Sequence, residues 1–290
     1  MPDALRTRTV TVGDIELAIN EAGVDERPLI LIHGFTAGRG DFDMVLERLA
    51  ERGWHAVSPD LRGHGDSSQP TAESSYSFEI MAKDVLGLAD ALGFATFAIL
   101  GHSMGGMVAQ HVALLAPHRI DALIPMCTSH GPFADPASMA MAAVIARDYG
   151  IDGFATAVES APGMTDTDAS RRVVEEDPEH EVRRNALRRG CSAAMVAGMV
   201  TEMIDPPDRL GALSGLTAPT FVIVGEQDAS FLDDSHRMAN AIPGARLAVV
   251  AGAGHNPQFE AQDEWWSALS SFLDELAVER AGEVRRGPQP

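Results

Sequence analysis

The chain has 290 residues, 45% of them hydrophobic, and sets 22 Lys and Arg against 42 Asp and Glu for a formal net charge of −20. Such a length and apolar content bury a substantial core and fit one large domain or a domain with an insertion. The acidity repels phosphate backbones and anionic bilayers, which argues against nucleic acid and membrane surfaces as partners.

Met1-Pro2-Asp3-Ala4-Leu5-Arg6 contains no apolar leader core, and no later run approaches the roughly 18 apolar residues of a membrane span, so a cytoplasmic location is expected. Thr7 to Val12 and Ile15 to Asn20 read as two strands joined by the turn Gly13-Asp14, so the chain opens antiparallel. The pattern then changes to short apolar runs at Leu29 to Ile32, Ala56 to Ser58, Phe97 to Leu100 and Leu123 to Met126. Between them lie helix-length segments, Phe42 to Leu49, Phe78 to Leu92 and Met104 to Leu115, with apolar residues three and four apart. This alternation predicts an α/β fold, a mostly parallel twisted sheet with helices on both faces.

From 130 to 207 the strand signal is lost, and helical stretches are expected at Ala137 to Arg147, Glu179 to Arg188 and Ala193 to Glu202. This segment reads as an α-helical insertion into one sheet. It is rich in methionine (Met139, Met141, Met164, Met195, Met199 and Met203), which either packs its helices together or forms a deformable apolar lid. Arg171, Arg172, Arg183, Arg184, Arg188 and Arg189 interleave with Glu175, Glu176, Asp177, Glu179 and Glu181, the pattern of a solvated helical face. Strand-like runs resume at Thr220 to Val224 and Leu247 to Val250, before a final helix carrying Trp265, Leu269, Phe272, Leu273 and Leu276. The expected organisation is a core in two parts, 1–129 and 208–278, interrupted by the insertion 130–207 and followed by a flexible tail, 279–290. Cys127 and Cys191 lack metal-ligand spacing and read as buried thiols.

Gly101-His102-Ser103-Met104-Gly105 joins the run ending at Leu100 to a helical segment, which sets Ser103 on a strand-to-helix elbow with small neighbours at Gly101, Gly105 and Gly106. A serine hydroxyl is a weak nucleophile at neutral pH and needs a base within hydrogen-bond reach, with a third group orienting that base. Asp228 follows the strand ending at Val224 and reads as the orienting acid; His255, in the glycine-rich stretch Gly252-Ala253-Gly254-His255-Asn256, reads as the general base. Glu226 is a rival acid, set aside because strand alternation points it to the other face. His111 and His130 are weaker rivals for the base. Asp60, His64 and Asp66 do not complete a metal ligand set, and the triad requires neither metal nor cofactor.

The order Ser103, Asp228, His255 resembles that of the α/β-hydrolase family. Further matches are His33-Gly34-Phe35, which looks like the family's oxyanion loop, and Pro59 to Ser67, which looks like its turn after the fourth strand. The resemblance spans about residues 15 to 128 and 208 to 277, with the insertion at the place of the family's helical cap. It implies an oxyanion hole from the backbone N–H groups of Phe35 and Met104, whose side chains would line the pocket. His33, His64 and His102 lie inside the matched motifs and are expected to satisfy loop backbone groups. Relatives that open epoxides or displace halide carry aspartate at the elbow, so Ser103 makes these activities less expected.

Relatives that cleave carbon–carbon bonds in dienoic keto-acids commonly have asparagine at the position of His102, and those with peroxide-forming activity often have proline at that of Thr36. The leading expectation is hydrolysis of a small or medium carboxylic ester or lactone, apolar or neutral, through an acyl-enzyme on Ser103. The alternatives are a carbon–carbon bond hydrolase, which requires a cap arginine for the substrate carboxylate, and a non-catalytic ligand receptor on the same scaffold. An exposed apolar face of the insertion would support a homodimer.

Overall fold

The computed structural model describes residues 4–24, 27–132, 136–160 and 166–286. Two antiparallel strands, β1 (Arg6–Val12) and β2 (Ile15–Ala22), are joined by a two-residue turn in which Gly13 has φ 60°. Then follow β3 (Arg27–Ile32), α1 (Asp43–Ala50), β4 (Trp54–Pro59), α2 (Phe78–Ala91), β5 (Phe97–His102), α3 (Met104–Leu115) and β6 (Ile120–Met126). The helices α4 (Pro136–Ser160), α5 (Asp168–Glu176), α6 (Glu179–Arg189) and α7 (Ala193–Ile204) separate β6 from the rest. The chain ends with α8 (Leu210–Leu213), β7 (Phe221–Gly225), α9 (Leu232–Ala241), β8 (Arg246–Val250), α10 (Pro257–Glu260) and α11 (Gln262–Arg286).

The eight strands form one sheet in the order β1-β2-β4-β3-β5-β6-β7-β8, antiparallel where β2 meets β1 and β4 and parallel elsewhere. Because neighbouring residues of a strand point to opposite faces, β3 feeds two cores. Ile30 and Ile32 join Met81, Val85, Val108 and Val112 of α2 and α3 on one face. Leu29 and Leu31 join Leu46 and Leu49 of α1 and Trp265 and Leu269 of α11 on the other. Both faces are covered, so the central strands are apolar along their whole length, which is why they read as continuous runs.

Helix α11 runs on to Arg286, past residue 278, after which a flexible tail, 279–290, was expected. Its first turns are anchored by Trp265, Leu269, Phe272, Leu273 and Leu276, and an anchored helix propagates cheaply through good formers such as Glu279, Arg280 and Ala281. Residues 287–290 lie outside the described residues. The stretch expected as a helix over Ala137 to Arg147 is the first part of α4, a pair of helices meeting at Gly150, whose φ of 68° breaks the helical path.

In the insertion, Met195, Met199 and Met203 are buried and pack with Ala143, Ala146 and Phe154, so these three serve packing, whereas Met141 is exposed and Met164 lies outside the described residues. Both cysteines are buried and unpaired. Among the described residues no helix is long and apolar enough to cross a membrane.

Candidate active site

The strand β5 delivers Ser103 to the carboxyl edge of the sheet in a conformation that serine avoids, φ 54° and ψ −119°. The surrounding structure imposes it: Ser103 N–H donates to Met126 O at 2.9 Å, and Ser103 O accepts from Thr128 Oγ1 at 2.7 Å and Gly106 N–H at 2.9 Å. The turn closes only around glycine, since a Cβ at Gly101 would stand 2.2 Å from Gly105 O. Asp228 sits in the turn after β7, with its backbone N–H bonded to Gly225 O at 3.1 Å, and its carboxylate is buried. His255 lies on the loop after β8.

The three side chains form one hydrogen-bonded line. His255 Nδ1 is 2.9 Å from Asp228 Oδ2, and His255 Nε2 is 2.9 Å from Ser103 Oγ. A carboxylate only accepts, which assigns the ring proton to Nδ1 and leaves Nε2 free to accept from the serine hydroxyl. The Phe231 ring stacks on the imidazole at 5.0 Å, which limits its rotation.

The other partner group is the His33-Gly34-Phe35 loop. Gly34 lies so close to the elbow that a Cβ there would meet His102 Nδ1 at 3.1 Å and Ser103 Cβ at 3.3 Å. Among the described residues, neither Phe35 N–H nor Met104 N–H donates to a protein acceptor. Met104 opens α3, so its free N–H also carries the positive end of that helix. The side chains differ from expectation in part: Phe35 is half-buried with its ring edge against Phe154, but Met104 is fully buried in the core beneath the elbow.

His33, His64, His102 and His111 serve the backbone or the packing. His33 donates from Nδ1 to Gly34 O at 2.8 Å and accepts from Leu61 N–H at 3.1 Å, and burial lowers its pKa to about 4. Burial likewise lowers that of His64 to about 3, with its Nδ1 on Arg62 O. His102, held neutral by burial, donates from Nε2 to His255 O at 2.7 Å. His111 bonds Met107 O and stacks on Phe78. His130 lies between Asp208 and Asp234, away from the line. Glu226 is exposed and binds Gly252 N–H, so it is not the partner of His255.

A metal does not suit the site. Ligand-type atoms of His102, Cys127 and His255 fall within 4.8 Å of one another, but both His255 nitrogens and His102 Nε2 are committed to hydrogen bonds. Burial also pushes the Cys127 thiol far toward its protonated form. The Asp60 carboxylate is taken by Arg39 and by the N–H groups of Arg39 and Asp66.

The arginine-rich segment is not uniformly solvated. Arg171, Arg183 and Arg189 form exposed ion pairs, whereas Arg188 is 9% exposed, bonded to Asn185 and no nearer than 4.0 Å to Glu181. Arg184 turns toward the core and the buried Asp41 at 3.4 Å. Both line a cavity of about 530 Å³ that also includes Asn256, Phe259 and Glu260, next to His255; Ser103 itself is 9% exposed and lines neither this cavity nor a larger one at Asp41 and Gln258. Charge interleaving could not separate these two arginines, because the helix turns them inward only when it meets the core. Thr128 and Glu260 left no signal in the sequence: each bonds backbone groups of another segment, Thr128 the carbonyl of Ser103 and Glu260 the N–H groups of Gly254 and Asn256.

The family description "alpha/beta hydrolase fold" matches residues 27–262. The chain is 27% identical to epoxide hydrolase A of Mycobacterium tuberculosis (strain ATCC 25618 / H37Rv) over 318 residues, covering 93% of this chain and 98% of that one. It superposes on the crystal structure of the enol-lactonase from Burkholderia xenovorans LB400 with a TM-score of 0.81 at 25% identity, covering 92% and 99% of the two chains. A thermophilic esterase from Thermogutta terrifontis gives a TM-score of 0.79 at 27% identity, covering 93% and 99%. With an eight-stranded sheet of this order and a match over most of its length, the chain belongs to the alpha/beta hydrolase fold family.

Proposed function

We propose that this hydrolase cleaves a small or medium carboxylic ester or lactone through an acyl-enzyme on Ser103, with His255 as general base and Asp228 orienting it. The observation that carries the reading is the continuous hydrogen-bonded line from Ser103 Oγ to Asp228 Oδ2 beside two unengaged backbone N–H groups, Phe35 and Met104. Ser103 Oγ attacks the carbonyl carbon as His255 Nε2 takes its proton. Asp228 stabilises the imidazolium, and the two N–H groups bind the oxyanion, each such donor supplying about 2.7–4 kcal/mol. The imidazolium protonates the departing oxygen. Water, activated by the same imidazole, then releases the acid and restores Ser103.

Epoxide opening fits this chemistry poorly in spite of the resemblance to epoxide hydrolase A. A carboxylate that attacks an epoxide gives an ester that water can cleave, but a serine would give an ether, which this site has no means of hydrolysing. A second reading, carbon–carbon cleavage of a vinylogous keto-acid, is favoured by one observation: among the described residues the buried Arg188 has no carboxylate closer than 4.0 Å, and it lines the cavity that Asn256 also lines, next to His255.

The test is intact-mass labelling with a fluorophosphonate, comparing wild type with Ser103→Ala, followed by turnover of a p-nitrophenyl ester series and of a dienoic keto-acid. Labelling lost with Ser103 together with ester turnover is the expected result. Keto-acid turnover without ester turnover would select the second reading, and full ester turnover by Ser103→Ala would refute both.

A further inference from the structure

We propose that Glu260 is a positioning residue for His255, clamping the backbone on both sides of it and placing a second negative charge beside the imidazole. The inference rests on the serine-hydrolase reading of the site. Glu260 ends α10, and its Oε2 accepts from Gly254 N–H at 2.6 Å and from Asn256 N–H at 3.1 Å, the residues that flank His255. The carbonyl of His255 is held in turn by His102 Nε2. Glu260 N–H and Phe259 N–H return to Asn256 O at 3.0 and 2.9 Å, so loop and carboxylate close on each other. With the backbone held on three sides, the freedom left to His255 is in its two side-chain torsions, which Asp228 and the Phe231 ring then restrict.

The charge of Glu260 has no conventional partner. Its Oε1 is buried and unbonded, and among the described residues no Arg or Lys lies within ion-pair distance of the carboxylate. Burial pushes its pKa up, while the two N–H groups and the neighbouring His255 favour the ionised form. Other groups around the pair are Asp228, His102 and Cys127 from the strand ends. From the insertion, Arg171, Arg184, Arg188 and His180 line the cavity beside Glu260. They share it with Glu159, Asp166, Glu175 and Glu181, so this wall is nearly balanced in charge. Asp228 and Glu260 therefore remain the nearby charges that act when His255 accepts the serine proton.

The rate at which a fluorophosphonate labels Ser103 tests this without knowledge of the natural substrate. Rates are measured across about pH 5 to 9 for wild type, Glu260→Gln, Glu260→Asp and Glu260→Ala, with thermal melting as a folding check. Glu260→Gln keeps an acceptor but loses the charge: labelling slows, and its acid limb moves to lower pH by about one unit, because the imidazolium has lost a stabilising neighbour. Glu260→Ala frees the loop and slows labelling by about 100-fold, and Glu260→Asp retains the wild-type limb. An unmoved acid limb in a folded Glu260→Gln, or a rate for Glu260→Ala within about twofold of wild type, overturns the proposal. If wild type itself is not labelled, the serine-hydrolase reading fails first, and a wild type that labels while the variants match it rejects Glu260 alone.

Discussion

Gly105→Ala converts the elbow's packing into a measurable loss. A Cβ at Gly105 would lie 2.4 Å from His33 O and 2.6 Å from Ile32 O, and real Cβ contacts essentially never fall below 3.0 Å. Helix α3 and the end of β3 must therefore separate by about 0.6 to 1 Å, and both obstructing atoms are backbone, so no side-chain rotation relieves the clash. The loop that moves carries Phe35 N–H, and the helix that moves carries Met104 N–H. Overpacking of this kind costs about 1–3 kcal/mol of stability, or about 2–4 °C in Tm per kcal/mol for a domain of this size class. A misplacement near 1 Å costs about 100-fold in rate. Differential scanning calorimetry and single-turnover ester hydrolysis measure the two effects, and Gly211→Ala, where the new Cβ meets nothing within 4 Å, is the control. A Gly105→Ala variant with wild-type Tm and wild-type turnover would refute both the elbow geometry and the oxyanion assignment.

Two further outcomes follow from buried charge. Arg62 and Asp84 form a buried bidentate pair, so Arg62→Met, which strands the carboxylate, lowers the unfolding free energy by about 3–5 kcal/mol in denaturant titration, whereas Arg62→Met with Asp84→Leu recovers much of that loss; a double variant no better than the single one would contradict this. His130 faces Asp234 Oδ1 at 3.3 Å through Nε2 and bonds Asp208 at 2.9 Å through Nδ1, and the two carboxylates raise its pKa above the ordinary value despite burial. The stability it adds is thus fully present below its unfolded pKa of about 6.5 and lost as pH rises through the folded value. The Tm difference between wild type and His130→Gln is accordingly largest near pH 6 and shrinks at alkaline pH, and a difference independent of pH would exclude the ion pairs.

The sheet and the line of Ser103, Asp228 and His255 were legible because each follows an apolar run that can only be a buried strand, and because parallel connections bring all those strand ends to one edge. Turn glycines marked the elbow for the same reason: a position with φ near 54° tolerates no bulky neighbours. What the sequence hid depends on contacts across the fold. Burial of Arg188 is decided by how α6 lies on the core, and the clamp by Glu260 uses backbone groups, which leave no trace in residue type. The continuation of α11 to Arg286 was obscured by Gly282 and the turn formers beyond it, which outweighed helix propensity on inspection but not in the folded chain.

The insertion leaves the sheet with a short seam. Strands β6 and β7 share the ladder pair Met126 with Ile223 and an isolated bridge between Leu123 and Thr220, whereas β5 and β6 are paired along almost their entire length. Ser103 belongs to the half made first, and Asp228 and His255 to the half made last. During synthesis β6 is thus an open edge until the ribosome has added the helices and β7, and Ser103 is without its hydrogen bond to His255 until β8 has followed. The line from Ser103 to Asp228 therefore closes only when β7 and the loop after β8 zip onto an edge that has waited for them.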